Sequence, residues 1–461
     1  MGIQDIIQAI LGLGPALMMP IVIFLLAIIF RQPVGSSLRH AVMIGAAFIG
    51  IFVVLGECLG VIGPAVQDLS KAIGAEVLGT DIGWPLTSAI AWGFAWSALL
   101  IPICFAVNWI LLALGWTKTF DADLWNYWHW VFTAAMCYIW TKNLWLSFGV
   151  AILTEIVILK LADWTAPWAQ KFFNIPGCSL PHTETVNWAP LNLALEKAIF
   201  SKFKKLEELR VDVEGIRGRL GYWGEPMMLG LYVGILLGVI VWAVTGASPL
   251  LILKMGVYTA ALLLLEGRLI GILMEGLTPI TDGIRDFFQR TKRFKGREIL
   301  IGIDAGPIGL ANPSAVVVGM VGILIYVLLT PVPAFAILPL ADLAIVPLFY
   351  MWAAAASRGN LVKAIINGTI TSLILLALTT SFAAPLTEAA KVVGYELPAG
   401  IVIASSLDAG AHILPWIIMM PFVGAMTGQA GLIVAAVVLG VVYAGCWYYA
   451  KDMPRKLAEE S

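Results

Sequence analysis

Apolar residues fall in long blocks along the chain, at roughly 6–30, 41–66, 86–115, 128–141, 144–161, 227–245, 248–274, 314–332, 334–354, 361–383, 399–424 and 428–449. Many reach the about 20 residues that a helix needs to cross a hydrocarbon core of about 30 Å. None shows the short alternating segments of a transmembrane barrel. The pattern predicts an all-α polytopic membrane protein. One stretch differs. Leu195, Ile199, Phe203, Leu206 and Leu209 share one helical face and lysines the other. That predicts a helix lying in the membrane interface, a face equally suited to docking another protein.

Two basic segments orient the helices. The first holds Lys197, Lys202, Lys204, Lys205, Arg210, Arg217 and Arg219; the second holds Arg285, Arg290, Lys292, Arg293, Lys295 and Arg297. Loops this basic stay cytoplasmic, and so does a tail with Lys451, Arg455 and Lys456. Between them, 227–245 and 248–274 form an out-and-back pair. "DLSKAIGAE" (Asp68–Glu76) matches "EAAKVVGYE" (Glu388–Glu396), a sign of the internal repeat, often inverted, of transporters. Inversion predicts about eleven transmembrane helices with re-entrant hairpins, the N-terminus outside and the C-terminus inside. It leaves Arg358 and Lys363 outside, against the charge rule. Twelve crossings in a parallel arrangement would rescue that pair and put the basic tail outside. The chain then divides into a first repeat (1–165), a central basic region (166–300), a second repeat (301–450) and a tail (451–461).

Polar, helix-breaking knots interrupt the apolar blocks. "GTDIGWP" carries Asp81 and Trp84, "PGCSLPHTETVNW" carries His182, Glu184 and Asn187, and "GYWGEP" carries Glu225. "GIDAGPIGLANP" carries Asp304 and Asn312, and "SSLDAGAH" carries Asp408 and His412. Non-helical backbone at membrane depth survives only against protein or a water-filled cavity, so such breaks point to a binding site. Carboxylates grip hydroxyl pairs, Trp84, Trp188 and Trp223 offer stacking faces, and no arginine cluster is present to hold an anion. A neutral polyol suits these knots. Asp81, Asp408 and Glu225 could instead cap helix N-termini. Glu155, Lys160 and Asp163 read as residues that snorkel near a helix end. "DLWNYWHWVF" (Asp123–Phe132) reads as part of an interfacial aromatic belt.

Composition adds limits. The chain is 60% hydrophobic and 12% charged, with a net charge of −1, which excludes a nucleic-acid partner. The five cysteines read as small buried hydrophobes. Without a Walker loop, a Rossmann fingerprint or HExxH, no cofactor or metal is expected. Direction must come from an ion gradient or from an external phosphoryl donor.

"DIGWP", "LWNYWH", "LPHTE", "GEPMMLG", "MEGLTPI", "REILIGID" and "ASSLDAGA" occur in that order. With these motifs the whole chain resembles the galactitol-type membrane component (EIIC) of the bacterial phosphoenolpyruvate-dependent sugar phosphotransferase system, in the superfamily that also holds the ascorbate permeases. Where the family often has Pro-His-Gly-Thr, this chain has Pro181-His182-Thr183-Glu184, and "GPIGLANPSA" lacks a Gly-His pair found in some members. Both departures bear on which polyol is taken. The resemblance implies a homodimer in the inner membrane, with a scaffold and an elevator-type moving core. It implies inward transport coupled to phosphorylation by a IIB partner, which carries phosphate on a cysteine and receives it from IIA. His182 and Glu184 would make the catalytic contact. Asp81, Glu225, Asp304 and Asp408 would hold other hydroxyls, and the loops 197–219 and 285–297 would dock IIB. The alternative on the same scaffold is an ion-coupled secondary transporter of a neutral polyol or sugar.

Overall fold

The computed structural model describes residues 15–72, 78–203, 205, 211–291, 293–398 and 401–460. Residues 6–14 of the first apolar block, Lys204, Leu206, Leu209, Arg210, Lys292 and the end of the Asp68–Glu76 fragment lie outside them. Helices α1 (Pro15–Ile29) and α2 (Val34–Ala72) precede strand β1 (Gly79–Asp81), α3 (Trp84–Trp92) and α4 (Ser97–Leu114). Strand β2 (Thr119–Asp121) leads into α5 (Leu124–Thr141) and α6 (Leu144–Phe172), and β3 (Cys178–Ser179) into α7 (Thr183–Val186) and α8 (Ala189–Ala198). Next come α9 (Val213–Leu220), α10 (Pro226–Thr245) and α11 (Leu250–Arg290). Strand β4 (Leu300–Gly302) opens into α12 (Ala305–Ala311) and α13 (Pro313–Leu329). Strand β5 (Ile337–Leu338) is followed by α14 (Val346–Ala356) and α15 (Leu361–Val393). Last are β6 (Ala404–Ser405), α16 (Leu407–Ala411), α17 (Ile413–Thr427), α18 (Ala430–Tyr449) and α19 (Met453–Glu460).

The described residues are mostly helical and form no closed barrel. Among the described residues, α6, α15, α18 and Met227–Thr245 of α10 are long and apolar enough to cross a membrane; α12 and α13 qualify together but meet at 86°. Other apolar blocks are split into shorter pieces, such as Leu99–Leu114 and Ile413–Thr427. α10 and α11 make the expected hairpin. Gly230, Gly234 and Gly238 let the backbones touch: a Cβ on Gly238 would lie 2.6 Å from Ile252 Cα, and one on Gly230 2.7 Å from the Thr259 carbonyl. Small residues four apart allow this approach, which matters where lipid removes the hydrophobic drive.

The all-helical expectation missed the short strands, six among the described residues. They form two parallel trios, ordered β5-β1-β6 and β2-β4-β3. Thr80 pairs with Leu338 and Ala404, and Phe120 and Cys178 both pair with Ile301. At membrane depth the trio satisfies backbone groups that a helix break exposes. The trios also interleave the chain, because β1 pairs with strands more than 250 positions later.

Several sequence expectations change. The matched fragments end α2 and α15, each with an i,i+3 ion pair, Lys71–Asp68 and Lys391–Glu388. The strands that follow, β1 and β6, are parallel neighbours. Arg358 pairs with Glu460 of the tail, Lys363 with Glu196 at 2.5 Å, and Leu361 N–H donates to the Val211 carbonyl. Arg358 and Lys363 thus share a face with the first basic loop and the tail. That face also gathers Trp164 on the Lys451 carbonyl and Lys118 against Glu298. The single amphipathic helix over 195–209 is interrupted: α8 ends at Ala198 and a 3-10 turn follows at Phe200–Lys202. Glu155 does not snorkel. It is fully buried in α6 with neither oxygen hydrogen-bonded, whereas Asp163 holds the Lys118 and Thr119 amides at the entrance to β2.

Candidate functional site

Each strand of the two trios ends in a polar turn, and the turns converge. On one side, Asp81 spends both oxygens on backbone. Oδ1 accepts from the amides of Gly83 and Leu407, and Oδ2 from those of Leu340 and Asp342. Asp342 does the same for Trp84 N–H and Asp408 N–H, and accepts from the Ser406 hydroxyl. These two carboxylates lace the ends of β1, β5 and β6 together and aim Asp408. On the other side, Asp123 caps α5 by accepting from Asn126 N–H. Asn126 in turn donates to the Pro181 carbonyl at 2.7 Å and accepts from both Thr183 N–H and its hydroxyl at 2.8 Å. That clamp fixes the turn carrying His182 and Glu184.

Between these turns lies a buried chain of histidines and carboxylates. His182 Nδ1 faces Asp123 Oδ2 at 3.1 Å and Asp304 Oδ1 at 3.3 Å, and its Nε2 faces Glu184 Oε2 at 3.1 Å. Glu184 Oε2 is 3.8 Å from His129 Nε2. His129 Nδ1 is 3.0 Å from His412 Nε2 and 3.8 Å from Asp408 Oδ1. Asp408 Oδ2 accepts from Thr87. All these side chains are buried, Asp304 the least at 9%. Three acceptors are left without a hydrogen-bond partner: His129 Nε2, Glu184 Oε1 and Asp408 Oδ1. Buried polar atoms normally find partners; Glu184 and Asp408 face each other as two acids, so the cluster is crowded with acceptors. What is missing is donors, and hydroxyl groups are donors.

The same residues form three triplets with ligand atoms within 4.8 Å: His129–Asp408–His412, His129–His182–Glu184 and Asp123–His182–Asp304. A metal would need the facing lone pairs of His129 and His412, yet those nitrogens stand 3.0 Å apart, the spacing of a shared proton. That triplet fits a hydrogen-bonded pair, and in the other two His182 stands 3.1 Å from Glu184 and from Asp123, again the spacing of hydrogen bonds.

Of the residues expected from sequence, His182, Glu184, Asp304, Asp408 and His412 come together here. Asn187 is beside the cluster but structural: it donates to the Thr183 carbonyl and accepts from Leu414 N–H. Asn312 caps α13. Trp84 N–H is held by Asp342. Glu225 is half-buried at the start of α10, next to the exposed Trp223. Sequence reasoning places Asp123 and His129 in an aromatic belt and assigns nothing to Asp342. A signal existed: Asp123, Asn126, His129 and Thr133 recur at three- and four-residue steps, a polar stripe along an aromatic helix. A cavity of about 430 Å³ between α8, α15 and α18 is lined by residues such as Leu191, Ile370, Val442 and Tyr449, offers no such chemistry and is apart from the site.

The EIIC-GAT family, described as the PTS system sugar-specific permease component, matches residues 9–400. A putative permease IIC component of Escherichia coli K12 is 32% identical over 405 residues, covering 87% of this chain and 90% of that protein. The galactitol-specific EIIC components of the phosphotransferase system from Escherichia coli K12 and O157:H7 are each 31% identical over 420 residues, 91% of both chains. This chain belongs to the sugar-specific permease components of the bacterial phosphotransferase system.

Proposed function

We propose that this permease moves galactitol or a closely related polyol inward and presents one hydroxyl to a phosphorylated IIB protein. The observation that carries the reading is the set of three partnerless acceptors at the meeting point of the two trios. A polyol supplies adjacent donors, and each hydroxyl given to a buried carboxylate makes a charge-assisted bond. His182, Glu184, Asp304 and Asp408 hold the sugar alcohol, and Asp81 and Asp342 brace them.

The cluster is closed. A narrow cavity of about 20 Å³ beside Asp304 has room for water but not for a polyol, and Ile23, Ile44, Leu273 and Leu277 wall it. Those four residues come from α1, α2 and α11. A polyol can enter only if the site-bearing part shifts against these long helices, which supports a scaffold with a moving core. Glu57, Arg268 and Glu275 are exposed on α2 and α11. Charges facing lipid are costly, and a second copy covering this face supports the homodimer. A C-terminus inside is supported by the gathering of both basic loops, Arg358, Lys363 and the tail on one face, the side that the charge rule makes cytoplasmic. IIB docks on that face at 197–219 and 285–297.

The test uses vesicles of purified protein loaded with phosphorylated IIB. External galactitol should appear inside as its phosphate. Free sugar that accumulates without IIB and collapses with an uncoupler would reject this mechanism in favour of ion-coupled transport.

A further inference from the structure

His129 lies mid-helix in α5, fully buried, and three contacts decide which of its nitrogens carries hydrogen. His412 Nδ1 is 2.7 Å from the Asp408 carbonyl, which only accepts, so that nitrogen is the N–H. In the neutral ring, His412 Nε2 is then the lone-pair nitrogen. It faces His129 Nδ1 at 3.0 Å, so the hydrogen between them belongs to His129. His129 Nε2 is left with a lone pair, buried and without a partner, pointing into the space shared with Glu184. His182 is the opposite case. Carboxylates flank both of its nitrogens, so both lone pairs are engaged with protons and none is free to take another.

We propose that His129 Nε2, and not His182, is the general base of phosphoryl transfer; this rests on the polyol reading above. A substrate hydroxyl between His129 Nε2 and Glu184 donates to the lone pair. As transfer proceeds, the O–H bond breaks and its proton goes to His129 Nε2. The polyol oxygen bonds to phosphorus, and the S–P bond of the IIB phosphocysteine breaks, leaving its electron pair on the thiolate. The imidazolium so formed faces Glu184 Oε2 at 3.8 Å and Asp408 Oδ1 at 3.8 Å, which stabilise the new charge. His412 is a positioning residue: with the Asp408 carbonyl it holds the tautomer. His182 stays an electrostatic and orienting partner of Glu184. The titratable groups facing His129 are His412 and Asp408 from the β6–α16 segment, and Glu184 and His182 from the β3–α7 segment.

The experiment compares wild type and H129Q in the IIB-loaded vesicles, with galactitol binding measured on the same purified proteins. A general base contributes about 100-fold or more, so turnover should fall by at least that much while binding weakens by less than about tenfold. H182Q should reverse the split, losing binding first. Unchanged H129Q turnover, or binding that falls as far as turnover, overturns the proposal. If wild type itself forms no galactitol phosphate, the polyol reading falls with it; if wild type works and H129Q works equally, only this inference falls. Should H129Q fail to fold, the wild-type pH profile decides. Turnover at saturating galactitol should drop about tenfold per pH unit on its acid side, as the lone pair is lost to a proton. A profile that stays level on the acid side down to the pH at which the protein unfolds overturns the assignment.

Discussion

Glu184→Gln is the sharpest perturbation of the binding cluster, because it changes charge and leaves volume almost untouched. Glu184 is 5% exposed; its Oε2 is engaged by His182 and its Oε1 has no partner. The polyol bond lost in the variant is therefore one from a hydroxyl to a buried ionised oxygen. Such bonds contribute about 1.5–3 kcal/mol. At about 1.4 kcal/mol per tenfold, galactitol affinity should fall roughly 10- to 150-fold. The assay is calorimetric titration of galactitol into the purified protein, with thermal unfolding of the unliganded variant as control. Asn126, Thr183 and Pro181 hold the turn through their own bonds, so unliganded stability should change little. Affinity within twofold of wild type would refute the reasoning, and so would a loss of affinity matched by a general loss of folded protein.

Other expectations follow from single contacts. Lys363→Met leaves Glu196 buried opposite an apolar side chain, and should cost about 3–5 kcal/mol in thermal unfolding, with E196M/K363M recovering most of it. Gly410→Ala puts a Cβ 2.6 Å from the Leu375 carbonyl and 2.9 Å from Thr379 N, so α16 must leave α15 and carry Asp408 and His412 with it; galactitol binding should be lost in protein that still inserts into membrane. Gly238→Leu would drive a side chain into Ile252 Cα, and cysteine pairs across α10 and α11 should then cross-link poorly. Glu155→Met removes a buried carboxyl with no hydrogen-bond partner and should raise the unfolding temperature, the expected gain being about 1–3 kcal/mol.

What was legible in the chain follows the range of the forces involved. Apolar blocks and Gly/Pro breaks are local signals, so the helical membrane class and the knots around His182, Asp304 and Asp408 were visible. The trios were not: strands of two or three residues have no room to show alternation, and their partners lie far along the chain. His129 was hidden for the same reason. Amid tryptophans it resembles an interfacial residue, and its meaning comes from His412, 283 positions away. Asp81 looked like a ligand because the sequence cannot count backbone amides. Four of them consume its oxygens. The fragment match at Asp68 and Glu388 holds in chemistry, since both make the same ion pair.

A map of the purified protein with galactitol bound is the most direct measurement of whether the orphaned acceptors form the sugar-alcohol site. Hydroxyl oxygens should stand about 2.6–3.2 Å from Glu184 Oε1, Asp408 Oδ1 and His129 Nε2. Galactitol bound elsewhere, with all three atoms still unpartnered, would contradict the account.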